Sequence, residues 1–191
     1  RSICQRIHSL KNSMKIEVKP YRLKLRHPFR ISKGSRTHTD VVYVRLSEGE
    51  FSSVGEASLP PYLEDTTESV VEFLEGLDPS QLNLENFEKA RQYIQNFKHG
   101  NTAAKATIEM ALISLYAQSK GVTLSEYVDV DERPIFTSYT FGISTRDEMA
   151  TKLDEAKDFK SFKLKLGSSD DLQVLKNFGE LCDKPFSVDV N

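Results

Sequence analysis

Two short segments near the end of the sequence constrain the fold most strongly. Residues Phe162–Gly167 read Phe-Lys-Leu-Lys-Leu-Gly, and residues Ser187–Asn191 read Ser-Val-Asp-Val-Asn. Side chains two positions apart in a β-strand lie on one face, so Lys163 and Lys165 project together, opposite the apolar residues. Strands of a parallel sheet are buried on both faces and are usually apolar throughout. Two lysines inside such a strand therefore indicate a polar site within the sheet's interior.

The sequence from Pro134 onward alternates strand-like and helix-like segments. Strands are predicted at Ile135–Ile143, Phe162–Leu166 and Phe186–Val190, and amphipathic helices at Met149–Phe159 and Asp170–Cys182. Such β-α-β-α-β patterns form parallel sheets with right-handed crossovers. Residues 134–191 are therefore predicted to be the truncated start of a (β/α) TIM-type barrel domain. Three parallel strands cannot close a barrel, so we expect the last strand to have an unpaired apolar edge.

The preceding part of the chain, residues 14–133, is predicted to be an α+β capping domain. A three-stranded antiparallel meander is expected first, with a polar loop at Arg30–Asp40 between its first two strands. Helices follow, one capped by Asp65 with Glu68 three residues later, and the longest at Ala103–Ser119. Residues 1–13 are interpreted as a leader or non-native extension. Because the chain also stops directly after its last predicted strand, we expect it to be a fragment of a longer protein.

Composition excludes several classes of protein. The 191 residues are 38% hydrophobic and 28% charged, with a formal net charge of −2. This balance is typical of soluble globular proteins and gives no general attraction to nucleic acid or to an anionic membrane. No apolar run approaches the roughly 18 residues of a membrane span. Cys4 and Cys182 are far apart, which favours a reducing compartment, and so a cytoplasmic location.

The residues at the ends of the last two strands suggest acid–base chemistry. Adjacent ammonium groups repel each other and each disfavours protonation of the other, which a lysine base near neutral pH requires. Asp189 and Asn191 lie on one face of the last strand, which suits Mg²⁺ ligation by Asp189 with the Asn191 amide supporting it. In the alternative interpretation the lysines face water and Asp189 caps a following helix.

Other polar residues have weaker signals. The cluster of Arg30, Lys33 and Arg36 could bind an anionic substrate, or could be a solvated loop. The hydroxyl-rich run Thr137–Thr140 could contact a ligand or bond to the backbone. Gly167-Ser168-Ser169 could form an anion-binding helix N-terminus, although a helix cap is favoured there.

With these motifs in this order, the chain resembles the enolase superfamily, within it the muconate-lactonizing-enzyme subgroup, and most strongly the dipeptide epimerases, including those acting on L-Ala-D/L-Glu. The resemblance covers about Met14 to Asn191. The matching stretches are His27–Ser32, Gly55–Ala57, Gly100–Ala106, Thr137–Thr140, Lys163–Lys165 and Asp189–Asn191.

The resemblance implies an active site at a barrel mouth, closed by two loops of the capping domain, one near Thr37 and one at Ser58–Glu64. It implies that Lys165 is one acid/base, that Lys163 modulates it and contacts the substrate carboxylate, and that Thr140 contacts the dipeptide. Asp189 would be the first of three Mg²⁺ carboxylates; the other two, and an opposing lysine, would lie beyond Asn191. The reaction implied is removal of the proton α to a carboxylate through an enediolate, which enzymes of this superfamily carry out with a lysine or histidine base and Mg²⁺.

The resemblance also bears on substrate specificity. Epimerases selective for Ala-Glu dipeptides carry an arginine where Gly34 falls, and Lys33 or Arg36 could substitute for it. Beyond the dipeptide, no nucleic-acid or membrane partner is expected, and a homo-oligomer is compatible with the sequence. By itself, the 191-residue chain is expected to be inactive.

Two alternatives to an epimerase stay open. Another member of the subgroup, an o-succinylbenzoate synthase or a cycloisomerase, would use the same lysine pair. An α+β binding or scaffold protein without catalytic activity would have lysines that are merely solvated.

Overall fold

A computed structural model describes residues 13–130 and 133–190. The described residues form two compact units. The first comprises residues 13–23 and 39–130, and the second comprises residues 24–38 and 133–190.

The division into 1–13, 14–133 and 134–191 stays a prediction about domains. All but the last residue of the predicted leader, and Cys4 with it, lie outside the described residues. The grouping of residues 24–38 with the second unit was not anticipated from the sequence.

The first three strands form an antiparallel sheet in the order β1-β2-β3. They span Lys15–Ile31 (β1), Gly34–Glu48 (β2) and Phe51–Ser58 (β3). Between β2 and β3 the register pairs Val44 with Gly55, and Gly49, at φ 63°, makes the turn. This left-handed backbone favours glycine, since it has no side chain to clash. The predicted meander is confirmed.

The predicted polar loop at Arg30–Asp40 is wrong. β1 and β2 continue through this stretch as a hairpin, joined by a two-residue turn at Ser32 and Lys33. The stretch is polar and so has the composition of a loop. Its backbone is nevertheless extended, and Arg30 O accepts a hydrogen bond from Ile143 N at 2.8 Å. A tertiary contact has thus overridden the local composition.

Four α-helices follow in the described part of the first unit: Thr67–Glu75 (α1), Phe87–Asn96 (α2), Thr102–Ser119 (α3) and Leu124–Tyr127 (α4). Two short 3-10 helices, Pro79–Gln81 and Leu84–Asn86, lie between α1 and α2. The α1 cap lies one residue later than predicted, at Thr66, which exchanges hydrogen bonds with Ser69. Asp65 does not cap α1 because its carboxylate accepts the Ala103 N–H at the start of α3, at 3.0 Å.

The α3 helix packs very closely on β3 at Gly55. A Cβ atom built there would lie 2.0 Å from the carbonyl oxygen of Thr107. Only glycine allows this approach. The result is an apolar core in which β2 residues such as Val42 and Val44 pack with α3 residues such as Leu112.

The second unit contains a parallel sheet in the order β4-β5-β6. Its elements are Ser138–Phe141 (β4), Arg146–Glu155 (α5), Ser161–Lys165 (β5), Asp171–Leu181 (α6) and Phe186–Asp189 (β6). The predicted capping box of Thr145 and Glu148 starts α5. This confirms the predicted fold class, an α+β capping domain followed by the first β-α-β-α-β of an incomplete barrel.

The second unit buries one face of β4 and β5 against its helices. Phe141, Phe162 and Leu164 pack with Met149 of α5 and Phe178 of α6. The last strand is covered less well: Val188 in β6 and Val190 just after it are 51% and 66% exposed. In the described residues β6 lies at one end of the strand order, where the sequence predicts an apolar edge strand.

No helix within residues 13–130 and 133–190 combines the length and the apolar character that a membrane crossing requires.

Candidate functional site

The face of the parallel sheet opposite the helices carries polar side chains in register. Thr140 of β4 pairs with Lys163 of β5, and Lys163 pairs with Ser187 of β6. One step toward the carboxyl ends, Lys165 pairs with Asp189. Partners in a parallel ladder point to the same face, so these residues form two adjacent polar rows.

Both lysines reach the same carboxylate oxygen. Lys163 Nζ and Lys165 Nζ each lie 2.9 Å from Asp189 Oδ2. The exposed fractions of the side chains are 42% for Lys163, 18% for Lys165 and 22% for Asp189. The lysines are therefore gathered around one acid, contrary to the interpretation that they merely face water. Together the three groups carry one net positive charge, which suits an anionic ligand.

The metal-binding hypothesis is only partly matched by the described residues. Asp189 supplies one carboxylate at this edge, and Asn191 lies outside the described residues. Within residues 13–130 and 133–190, no group of three His, Cys, Asp or Glu side chains is placed to hold a metal ion. One carboxylate does not make a Mg²⁺ site, because Mg²⁺ in proteins takes near-octahedral oxygen coordination. These residues alone therefore do not fit a complete site.

The three hairpin cations differ in their surroundings. Arg30 is engaged: its Nη1 donates to both carboxylate oxygens of Glu148 at 2.9 Å. The pKa of Glu148 is lowered, first by the Thr145 backbone N–H and then by Arg30. The Arg36 guanidinium lies over the Phe29 ring at 5.5 Å, and Lys33 is exposed. Substrate contact by these three cations stays a prediction, with Lys33 the most accessible.

The turn after β5 holds an anion that belongs to the chain itself. The carboxylate of Asp171 accepts hydrogen bonds from Gly167 N, Ser168 N and Ser168 Oγ at 2.8–3.0 Å. These bonds lower the pKa of Asp171, the Ser168 N–H being the largest cause. The predicted helix cap at Gly167–Ser169 is wrong, because the N-cap of α6 is Asp170 and it makes no side-chain cap hydrogen bond. The turn instead donates to Asp171 from within the helix.

Sequence reasoning missed a buried polar group beside the loop that follows β4. Lys152 of α5 is only 5% exposed, and its Nζ donates to Ser144 Oγ at 2.9 Å. Burial lowers the pKa of Lys152. The available signal was its position between Met149 and Leu153, on the apolar side of the helix.

Residues 13–128 match the family described as mandelate racemase / muconate lactonizing enzyme, N-terminal domain. The chain belongs to this family. It is part of the enolase superfamily, as the sequence resemblance predicted.

Two curated relatives of this family member are epimerases. The L-Ala-D/L-Glu epimerase of Bacteroides thetaiotaomicron is 34% identical over 192 aligned residues, covering 96% of this chain and 49% of that protein. The L-Ala-D/L-amino acid epimerase of Flavobacterium johnsoniae is 31% identical, covering 93% of this chain and 54% of that protein. The chain thus spans about half the length of the curated relatives it matches.

Solved structures show the same fold. An enolase family member from Agrobacterium tumefaciens with homology to dipeptide epimerases, bound to sodium and L-Ala-L-Glu, has a TM-score of 0.74 at 26% identity, covering 93% of this chain and 54% of that one. The dipeptide epimerase of Enterococcus faecalis, complexed with Mg and L-Leu-L-Tyr, has a TM-score of 0.79 at 24% identity, covering 94% and 54%.

Proposed function

We propose that this chain forms the capping domain and first barrel strands of a Mg²⁺-dependent dipeptide epimerase. The observation that carries the proposal is the meeting of Lys163 and Lys165 at Asp189, at the carboxyl ends of adjacent parallel strands. Carboxyl ends of barrel strands are where active sites of this architecture lie. The epimerase relatives support the choice of reaction.

Lys165 is the proposed acid/base at the α-carbon of the dipeptide. Its side chain is the more buried of the two lysines, so water competes less for its amine. An acid/base at this position takes up the α-proton on its amine and can return it to the same carbon. Lys163, more exposed and next to Thr140 in the ladder, is proposed to bind the substrate carboxylate together with Thr140.

Asp189 is proposed as the one metal ligand that this chain contributes, with Asn191 supporting it. Bound Mg²⁺ would supply positive charge beside the substrate carboxylate, where negative charge develops when the α-proton is removed. In the structure Asp189 Oδ2 lies 2.9 Å from both amines. The remaining ligands and a second lysine on the opposite face of the substrate belong to the proposed whole protein. The cytoplasmic location is proposed from cysteine usage alone.

The test is exchange of the substrate α-proton by the whole protein in D₂O, with L-Ala-L-Glu and other dipeptides as probes. We expect Mg²⁺-dependent deuterium incorporation at one α-carbon, with inversion there, observed by NMR. Lys165→Ala should reduce exchange about a thousandfold, in the range lost with an essential acid–base group. Lys176→Ala, at an exposed position on α6, is the matched control and should retain full activity.

The same experiment separates the alternatives. An o-succinylbenzoate synthase would eliminate water from its substrate and leave dipeptides unexchanged. A binding or scaffold protein would show no exchange, and Lys165→Ala would change nothing. Either result would refute the epimerase proposal.

A further inference from the structure

The amine of Lys152 is buried, which is energetically unfavourable for a charged group. Its side chain is only 5% exposed, and burying an ammonium group is unfavourable unless its donors are well satisfied. An ammonium has three donors, and in the described part of the chain Lys152 Nζ makes a side-chain hydrogen bond to Ser144 Oγ. Glu148 and Glu155 offset part of this cost by favouring the charged amine, but an apolar residue of similar volume is often as stable at a buried ionic site.

Ser144 does not need Lys152 to be satisfied. Its hydroxyl donates to Gly142 O at 2.7 Å and accepts from Lys152. Removing the amine therefore leaves no buried hydroxyl without a partner. What the amine adds is a link from helix α5 to the loop of residues 142–145, which follows β4 directly.

This loop contacts the hairpin of residues 24–38 backbone to backbone. Ile143 N donates to Arg30 O at 2.8 Å. A Cβ atom built on Gly142 would lie 2.8 Å from Arg30 O and 3.0 Å from Arg30 N, so the two segments touch with no side chain between them. The Arg30 guanidinium adds the pairing with Glu148 of α5.

The hairpin also reaches the end of β5. A Cβ atom built on Gly167 would lie 2.8 Å from Ser32 Cβ, and Gly167 is two residues after Lys165. Residues 30–32 therefore contact the loop that follows β4 and the turn that follows β5. The hairpin turn, with Lys33, is held by the same contacts.

We propose that Lys152 is a positioning residue for substrate binding. Through Ser144 it fixes the 142–145 loop, the loop fixes the hairpin at Arg30, and the hairpin then presents its tip beside the ends of β4 and β5. Lys152 touches no substrate in this scheme. The inference rests on the proposed epimerase function for its link to the dipeptide, but not for its link to the hairpin.

The contact scheme predicts which kinetic constant changes. Thr140 precedes the loop and Lys33 lies in the hairpin turn, so loosening the loop should weaken dipeptide binding. Lys165 and Asp189 are joined by the β5–β6 ladder, which does not pass through the loop. Loss of the Lys152 amine should therefore raise KM with kcat nearly unchanged.

The experiment compares Lys152→Met with wild type in the whole protein. Methionine keeps the length and apolar stem but has no amine, so the fold should survive. We expect KM for the dipeptide to rise about tenfold, the scale of coupling through packed networks, with kcat within about twofold. Hydrogen exchange in residues 24–38 should become faster, while exchange in β5 stays unchanged. Lys176→Met on α6 should alter neither.

A Lys152→Met, Ser144→Ala double variant completes the design. If the two residues act in one link, the double variant should raise KM no further than Lys152→Met does. An unchanged KM and unchanged hairpin exchange in Lys152→Met, with only a shift in Tm, would overturn the inference. If wild type epimerises no dipeptide, the proposed function fails, and hairpin exchange alone then decides the positioning role.

Discussion

The two units differ in how completely they bury their own apolar surface. In the first, side chains of β2 and β3 and of the helices α1 to α3 pack into one core, with Val42, Ile108 and Leu112 fully buried. In the second, β4 and β5 are covered by α5 and α6, whereas Val188 and Val190 at the last strand remain exposed. The first unit thus has the larger buried core, and the second leaves the apolar side chains of its last strand exposed. The proposed active site lies in the second unit, which has the smaller core.

The largest loss of stability is expected for Gly55→Ala, in the core of the first unit. The added Cβ would meet the Thr107 carbonyl at 2.0 Å, and backbone on both sides leaves little room to relax. We expect a loss of about 4 kcal/mol in the free energy of unfolding, in the range of severe disruption. Urea unfolding followed by circular dichroism measures it. A loss below about 1 kcal/mol would show that the sheet and α3 can separate easily.

Phe178→Ala probes the core of the second unit. Phe178 is fully buried and contacts the rings of Phe141 and Phe162 edge-on. Truncation should cost about 3 kcal/mol, the low end for a buried aromatic, because part of this core is open. Hydrogen exchange of β5 amides should speed up accordingly. Val188→Ser, at a half-exposed site, is the control and should have little effect in the 191-residue chain.

The carboxylate of Glu148, which accepts the Thr145 N–H and pairs with Arg30, predicts a small pH-dependent effect on stability. Because the pKa of Glu148 is lowered in the folded state, its contribution is complete above the unfolded glutamate pKa of about 4.3. It is lost as the pH falls through the lower folded value. Both side chains are more than a third exposed, so we expect a contribution of at most about 1 kcal/mol to the free energy of unfolding.

Glu148→Gln isolates this charge, because glutamine can still complete the capping box with Thr145. The Tm difference from wild type should be present at pH 7, should shrink as the pH falls below the unfolded glutamate pKa of about 4.3, and should vanish only below the lower folded pKa. A difference that persists in acid would assign the effect to packing.

The smallest effect is expected at Gly179 on α6. A Cβ atom there meets nothing within 4 Å, so alanine adds helix propensity without a clash. Gly179→Ala should stabilise the second unit by about 0.5–1 kcal/mol. The increase in Tm is the measurement, and a decrease would mean that α6 needs flexibility at this point.

Local rules predicted much of this structure. Thr145 and Glu148 indicated the start of α5, and the alternation around Lys163 and Lys165 predicted a strand with its amines on one face. Both features depend on neighbours in sequence, which is why a single sequence reveals them. The meeting of the lysines with Asp189 has a topological reason, since parallel strands align their carboxyl ends.

Contacts between distant segments were not predictable in the same way. The polar hairpin was taken for a loop because its extended form depends on Ile143, more than 100 residues later. Asp65 was assigned to the wrong helix because its actual partner, Ala103, starts α3. The hydrogen bond from Lys152 to Ser144 was missed because nothing in the sequence of α5 shows that Ser144 lies within reach of the amine.

The carboxylate of Asp171 determines what the turn after β5 can bind. Free amides at such a turn form an ordinary cradle for a phosphoryl group, but here an internal acid already fills it. The lowered pKa keeps that acid ionised in all but strongly acidic solution. A phosphoryl group would therefore meet like charge at this turn instead of free N–H donors.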